Sequence, residues 1–168
     1  MRLTSSHIEL AIAEHFNFRQ NIIVPNLSHS MLRYEADVVI LRPSGYAVEV
    51  EIKVSAGDIK ADALKAHRHN SNMFRELWFA VPADLSDHPS IPEMAGILSV
   101  TEDRGFLRVT AMRRGRCNRY AKQWTPQQRQ KLLEVGVMRI WSLKRARLDA
   151  WNQLSVTRRT AAGVGDER

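Results

Sequence analysis

The chain has 168 residues, a single cysteine, and 25 lysines and arginines against 18 aspartates and glutamates, for a formal net charge of +7. That length suits one domain of ordinary size, and Cys117 by itself excludes an intramolecular disulfide framework and a cysteine-rich zinc site. No long apolar run opens the sequence, so a soluble, cytoplasmic protein without a membrane span is expected, and a pI of about 10.1 favours an anionic polymer such as nucleic acid as partner.

The first segment, "TSSHIELAIAEHF", opens with capping residues and sets Ile8, Ala11, Ile12 and Phe16 at helical spacing. A helix over 6–16 follows, with Glu9 on its polar side. "NIIVP" reads as a short strand and "NLSHSM" as a loop. In "RYEADVVILRPSGYAVEVEIK", Ala36, Val38 and Ile40 alternate with other residues, as do Val48, Val50 and Ile52, which is the period of two of half-buried strands. Pro43, Ser44 and Gly45 suit a three-residue hairpin loop with the glycine in the left-handed conformation. That loop sets a register: Arg42 faces Tyr46, Ile40 faces Val48, Val38 faces Val50, Asp37 faces Glu51 and Glu35 faces Lys53.

On this register the apolar residues share one face, and Glu35, Asp37, Glu49, Glu51 and Lys53 share the other, with opposed Cβ atoms roughly 5 Å apart. Two carboxylates directly opposite on a ladder repel each other. A bound divalent cation would remove that repulsion and is the economical explanation for it.

After Lys53, Ser55 and Asp58 form a capping-box pattern ahead of a helix carrying Ile59, Ala63, Leu64 and Ala66. "ELWFAVP", "AGILSV" and "FLRVTAMR" are further strands, with "DLSDHPSIPE" as a loop, giving the order α-β-β-β-α-β-β-β. "RRGRCNRYAKQW" contains no acid. "TPQQRQKLL" opens a C-terminal helix with Thr125 as cap, Pro126 at the first helical position and Gln128 completing the box, and Gly136 is a place where that helix would bend. The expected division is a main domain over 1–124, a basic helical extension over 125–156 and a disordered tail over 157–168.

Helix, three-stranded meander, helix and strand, with Asp37 on the second strand and Glu51-Ile52-Lys53 on the third, resembles the PD-(D/E)XK nuclease superfamily, which includes restriction enzymes and Holliday-junction resolvases. More narrowly, "EVEIKVSAGDIKADALKAHRHN", "ELWFAVP" and "IPEMAGILSV" look like the restriction-endonuclease-like proteins grouped with MmcB-type DNA repair proteins and their phage relatives. The likeness spans roughly 35–100, and Ala36 stands where the superfamily's name places a proline. It implies an α/β fold with a restriction-endonuclease-like αβββαβ core: a mixed sheet flanked by helices, here with a C-terminal helical extension. It also implies a Mg²⁺- or Mn²⁺-dependent endonuclease acting on DNA in repair, recombination or phage DNA metabolism.

Under that resemblance Asp37, Glu51 and Lys53 are the catalytic residues. Asp37 and Glu51 are metal ligands, with the Ile52 carbonyl and Glu9 as further ones. Hard carboxylate oxygens suit Mg²⁺, and a lysine beside them can position water or stabilise charge developing on phosphate. Lys60, Lys65 and Arg68 on the second helix, and Arg113, Arg114, Arg116, Arg119 and Lys122 in the acid-free stretch, are the residues placed against the DNA backbone.

Other readings stay open. Glu35 and Lys53 alternatively make only a cross-strand ion pair on a solvated face, worth well under ~1 kcal/mol. Asp58 and Asp62 interleave with the basic residues of the second helix as surface charge pairs would. His67 and His69, two apart, point to different sides of a helix and do not suit joint coordination. Trp141 and Trp151, with Ile140, Leu148 and Leu154, form a packing stripe available to a homodimer. A DNA-binding module that has lost cleavage and a regulatory protein-interaction domain are the rival functions.

Overall fold

The computed structural model describes residues 3–28, 31–32, 34–64 and 71–163, the last eight of these by backbone alone. Six strands form one mixed sheet in sequence order: β1 (Ile22–Leu27), β2 (Ala36–Leu41), β3 (Ala47–Ile52), β4 (Phe74–Pro82), β5 (Gly96–Asp103) and β6 (Phe106–Arg113). β1, β2 and β3 pair antiparallel, β3, β4 and β5 pair parallel, and β6 returns antiparallel to β5.

The hairpin register read from the sequence holds where the ladder runs, with Val38 opposite Val50 and Ile40 opposite Val48. Gly45 has φ +82°, and its N–H donates to the Arg42 carbonyl at 2.9 Å, which closes the three-residue loop. The other hairpin, β5 to β6, turns on Arg104 and Gly105, both at positive φ, as a two-residue loop between right-twisting strands requires.

Three helices accompany the sheet. α1 (Ser5–His15) starts at Thr4, whose hydroxyl accepts from the His7 N–H while His7 Nδ1 accepts from the Thr4 N–H. Its Ile8, Ala11 and Ile12 pack on Val38, Ile40, Val48, Val50, Ile52, Trp78, Ala80, Leu98 and Val100, and these residues make the core on one face of the sheet. α2 (Ala56–Ala63) is capped by Ser55 and makes the crossover that parallel pairing of β3 and β4 demands. Its Ile59 joins Leu77, Phe79, Val81, Ile91, Ala95 and Ile97 in a second core on the opposite face.

α3 (Pro126–Gly163) begins as the sequence predicts, with reciprocal Thr125 and Gln128 bonds at 2.8 and 3.2 Å. Gly136 does not interrupt it. The helix also continues through 157–163, where a tail was expected, because arginines and alanines sustain a helix without an apolar face; 164–168 lie outside the described residues. The chain divides into two compact units, Met1–Leu133 and Glu134–Arg168. The boundary falls later than the expected 124, and fully buried Leu132 lies within the first unit. In the second unit Val137, Ile140, Trp141, Leu148, Trp151 and Leu154 are exposed in the single chain. Among the described residues no helix is long and apolar enough to cross a membrane.

Candidate functional site

All six residues of β3 are buried, including Glu49 and Glu51. The charged face of the hairpin is therefore no solvated surface. It lies on the side of the sheet that carries Ile59 of α2.

Ladder pairing of β2 with β3 ends at Val38 and Val50, and beyond it Asp37 Oδ2 accepts the Ile52 N–H at 2.7 Å. The side chain thus takes the place of the next ladder bond and ties its carboxylate to the end of β3. Lys53 immediately follows that strand, its backbone N–H bound to the Ala80 carbonyl of β4. Its Nζ lies 2.5 Å from Glu51 Oε2, 3.1 Å from Asp62 Oδ1 and 3.6 Å from Asp37 Oδ2.

The repulsion expected between Asp37 and Glu51 is met here by the protein's own ammonium, which lies within 3.6 Å of an oxygen of each. The expected Glu35–Lys53 pair also gives way, with Glu35 exposed and Lys53 turned inward to three other carboxylates. A buried charge gains more from buried partners than from one in water.

The electrostatics follow from burial. Desolvation pushes the Lys53 pKa down, but attraction to Glu51, their hydrogen bond, and the charges of Asp37 and Asp62 outweigh it and hold the ammonium well above its ordinary value of 10.5. Lys53 is therefore protonated at any physiological pH. Fully buried Glu49 accepts a 2.9 Å hydrogen bond from the Tyr34 hydroxyl at Oε2. Burial, then the charge and hydrogen bond of Glu49, raise the Tyr34 pKa far above 10.

Solvent reaches the Lys53 cluster through Asp37, whose side chain is 34% exposed while those of Glu51, Asp62 and Lys53 are 1%, 2% and 8% exposed. Among the described residues, the carboxylates of Asp37, Glu51 and Asp62 converge on one ammonium. No three His, Cys, Asp or Glu side chains are arranged to hold a metal among the described residues. Glu9 takes no part in the ion pairs of Lys53 with Asp37, Glu51 and Asp62, or in the bond from Ile52 to Asp37. It is half-buried on α1, which packs on the other face of the sheet.

Asp62 and Tyr34 are the residues that sequence reasoning missed. For Asp62 a signal existed: it falls three residues after Ile59, so both point to the same side of α2, and that side is buried. Tyr34 precedes β2 in an irregular stretch, where no period indicates direction.

The basic residues divide into two kinds. Arg113 is structural: its guanidinium donates to the carbonyls of Ala95 at 3.0 Å and Pro92 at 2.7 Å. Arg114, Arg116, Arg119 and Lys122 are exposed on a strap pinned by backbone bonds from Arg116 to Met94, Asn118 to Arg75, Lys122 to Asn72 and Trp124 to Gly45. Gly115 lets that strap lie close, since a Cβ there would meet Gly96 N at 2.8 Å and Leu77 O at 2.9 Å. Lys60 is exposed on α2, whereas Lys65, Arg68, His67 and His69 lie outside the described residues.

A cleft of about 590 Å³ begins at Val54 and runs along the ends of β3, β4 and β5. Its walls carry Asp84 and Glu102, which disfavour a polyanion there.

No family model and no curated protein matches the chain. Among solved structures, the chain is similar to the SPO1766 protein of unknown function from Silicibacter pomeroyi, with 20% identity over 89% of this chain and 95% of that one, and a TM-score of 0.60. At that identity the likeness establishes the α/β fold, a mixed six-stranded sheet with flanking helices and a C-terminal helix, and nothing about activity.

Proposed function

We propose that the chain is a cytoplasmic Mg²⁺- or Mn²⁺-dependent nuclease that hydrolyses phosphodiester bonds in DNA, with Asp37 and Glu51 as the cation's carboxylate ligands and Lys53 at the scissile phosphate. The observation carrying this reading is the convergence of the Asp37 and Glu51 oxygens on a single positive charge at the end of β3, within a site that opens to solvent at Asp37. The sequence resemblance to PD-(D/E)XK nucleases supports the same assignment.

A divalent cation there would polarise the phosphate and acidify a bound water. The chain's own residues do the rest. Asp37 is oriented by the Ile52 N–H, and the Lys53 ammonium, beside both carboxylates, supplies positive charge for developing phosphate charge. Exposed Arg114, Arg116, Arg119 and Lys122 provide positive charge for the polyanion's backbone. Neither Arg113 nor Glu9 has a part in this reading.

A second reading, DNA binding without cleavage, is favoured by one observation: the Lys53 ammonium already pairs with the carboxylates of Asp37 and Glu51. Labelled linear and branched DNAs incubated with the purified protein and Mg²⁺ or Mn²⁺, with EDTA controls and Asp37→Asn in parallel, separate the two. Products that require metal and vanish with Asp37→Asn support the nuclease. Binding that persists in EDTA with no product from any DNA supports the binding module.

A further inference from the structure

Val137, Ile140, Trp141, Leu148, Trp151 and Leu154 of α3 fall at i, i+3, i+4, i+11, i+14 and i+17, which at helical pitch makes one straight stripe about 26 Å long. Each of the six is between 53% and 68% exposed. Together they leave roughly 700 Å² of apolar surface open, more than the ~300–600 Å² patch of a typical monomer and close to the ~800 Å² that each partner gives to a standard interface. Lys144 falls within the stripe at i+7, but its ammonium stands 5.0 Å over the Trp141 ring, so the lysine folds back on the indole instead of interrupting the apolar face. An amphipathic helix is held more by what its apolar face packs on than by propensity. The unit Glu134–Arg168 contains no described element besides α3 to supply that cover.

We infer that this stripe is a dimerisation surface and that a second copy of the chain covers it, helix against helix. Area and shape carry the inference. A straight stripe along one helix matches the same stripe on another, and a two-fold axis lets one patch serve both sides of the contact. Burial of the stripe on both copies would remove roughly 1,400 Å² from water, within the ~1,200–2,000 Å² of stable, specific interfaces. Trp141 and Trp151, of the residue type on which interfaces most depend, stand about 15 Å apart along it. A lipid surface is the poorer cover, because a helix lying on lipid keeps its basic residues to the polar face, whereas here Lys144 stands in the stripe and Asp149 on the polar side. The inference does not depend on the nuclease reading and survives its failure.

Sedimentation equilibrium of the full chain tests this, with helix content followed by circular dichroism. The wild type is expected at twice its chain mass of 19.2 kDa. Trp151→Ala, which removes an anchor and keeps a good helix former, is expected to raise the dissociation constant of the dimer about thirtyfold or more, and Leu148→Glu to give a monomer. Ser142→Glu, on the opposite side of α3, is expected to leave the dimer as it is. A wild type that stays monomeric up to roughly 100 µM, above the micromolar limit for interfaces of this size, overturns the inference, and its co-sedimentation with phosphatidylserine vesicles would then identify lipid as the cover. A dimer that Trp151→Ala and Leu148→Glu leave unchanged has its interface elsewhere and overturns it as well. Equal loss with Ser142→Glu overturns it too, since the effect then belongs to no one face. Should Leu148→Glu lose helix, Trp151→Ala decides: weaker association at unchanged helix content supports the stripe, and unchanged association counts against it.

Discussion

The two faces of β3 bury equally and by opposite means. Val48, Val50 and Ile52 look toward α1 and are covered by Ile8, Ala11 and Ile12, a purely apolar contact. Glu49 and Glu51, between them in sequence, look the other way and are just as inaccessible, held by the Tyr34 hydroxyl and the Lys53 ammonium. Apolar burial stabilises in proportion to area and is indifferent to its exact partners. Buried carboxylates are tolerated only while named partners stay in place. One face of the strand thus tolerates exchange of similar side chains, and the other does not. A protein that keeps such charges where valines would serve is a candidate for using them.

The largest expected effect breaks the charged face. Lys53→Met in the absence of metal leaves Glu51 and Asp62 without their ammonium and is expected to cost about 3–5 kcal/mol, read as a lowered denaturation midpoint, with Mn²⁺ restoring more of the loss than it adds to the wild type. The folded ammonium holds its proton more tightly than the unfolded one at 10.5, so its contribution is complete below pH 10.5 and fades only as pH rises through the higher folded value. The stability gap between the wild type and Lys53→Met should therefore stay constant from pH 7 to 10 and narrow above that. A gap that closes already near pH 8 would contradict the buried cluster.

On the apolar face, Ile12→Ala is expected to cost about 2–5 kcal/mol through its cavity. That loss should be the same with and without Mn²⁺, which sharpens the contrast between the faces. Gly115→Ala is expected to cost about 1–3 kcal/mol by overpacking, because its Cβ meets backbone atoms that cannot move aside, and also to weaken DNA binding by lifting the strap. An alanine variant with full stability would mean that the strap does not need its close approach.

The smallest effect on stability is expected from replacing exposed Arg114 and Arg116 by alanine, within about 0.5 kcal/mol. The same change should flatten the salt dependence of DNA binding, by about one unit of slope for each phosphate that the variant no longer touches. Arg113→Ala should do the reverse, lowering stability through the freed Ala95 and Pro92 carbonyls while leaving the salt slope unchanged. An unchanged slope in the double variant would move the DNA surface off the strap.

The sequence by itself determined what is local. Alternation in Ala36 to Ile40 and Val48 to Ile52, the Pro-Ser-Gly loop, and the Ser55 and Thr125 caps fixed the elements, the hairpin register and the element order, because each depends on residues a few positions apart. Asp37, Glu51 and Lys53 were legible as neighbours for the same reason, since the register alone brings them together. Only the tertiary structure decided what covers them. The crossover of α2 turns a face that looks solvent-exposed in sequence into a buried one, brings Asp62 to Lys53 from a separate element and leaves α1, with Glu9, on the opposite side of the sheet. The fate of Arg113 was decided in the same way, by carbonyls 18 and 21 residues away that no local pattern announces. Hydrophobic period tells which residues share a face, but the partner a charge finds on that face depends on long-range packing, and for buried charge the partner decides whether the residue supports the fold, binds a ligand or does both.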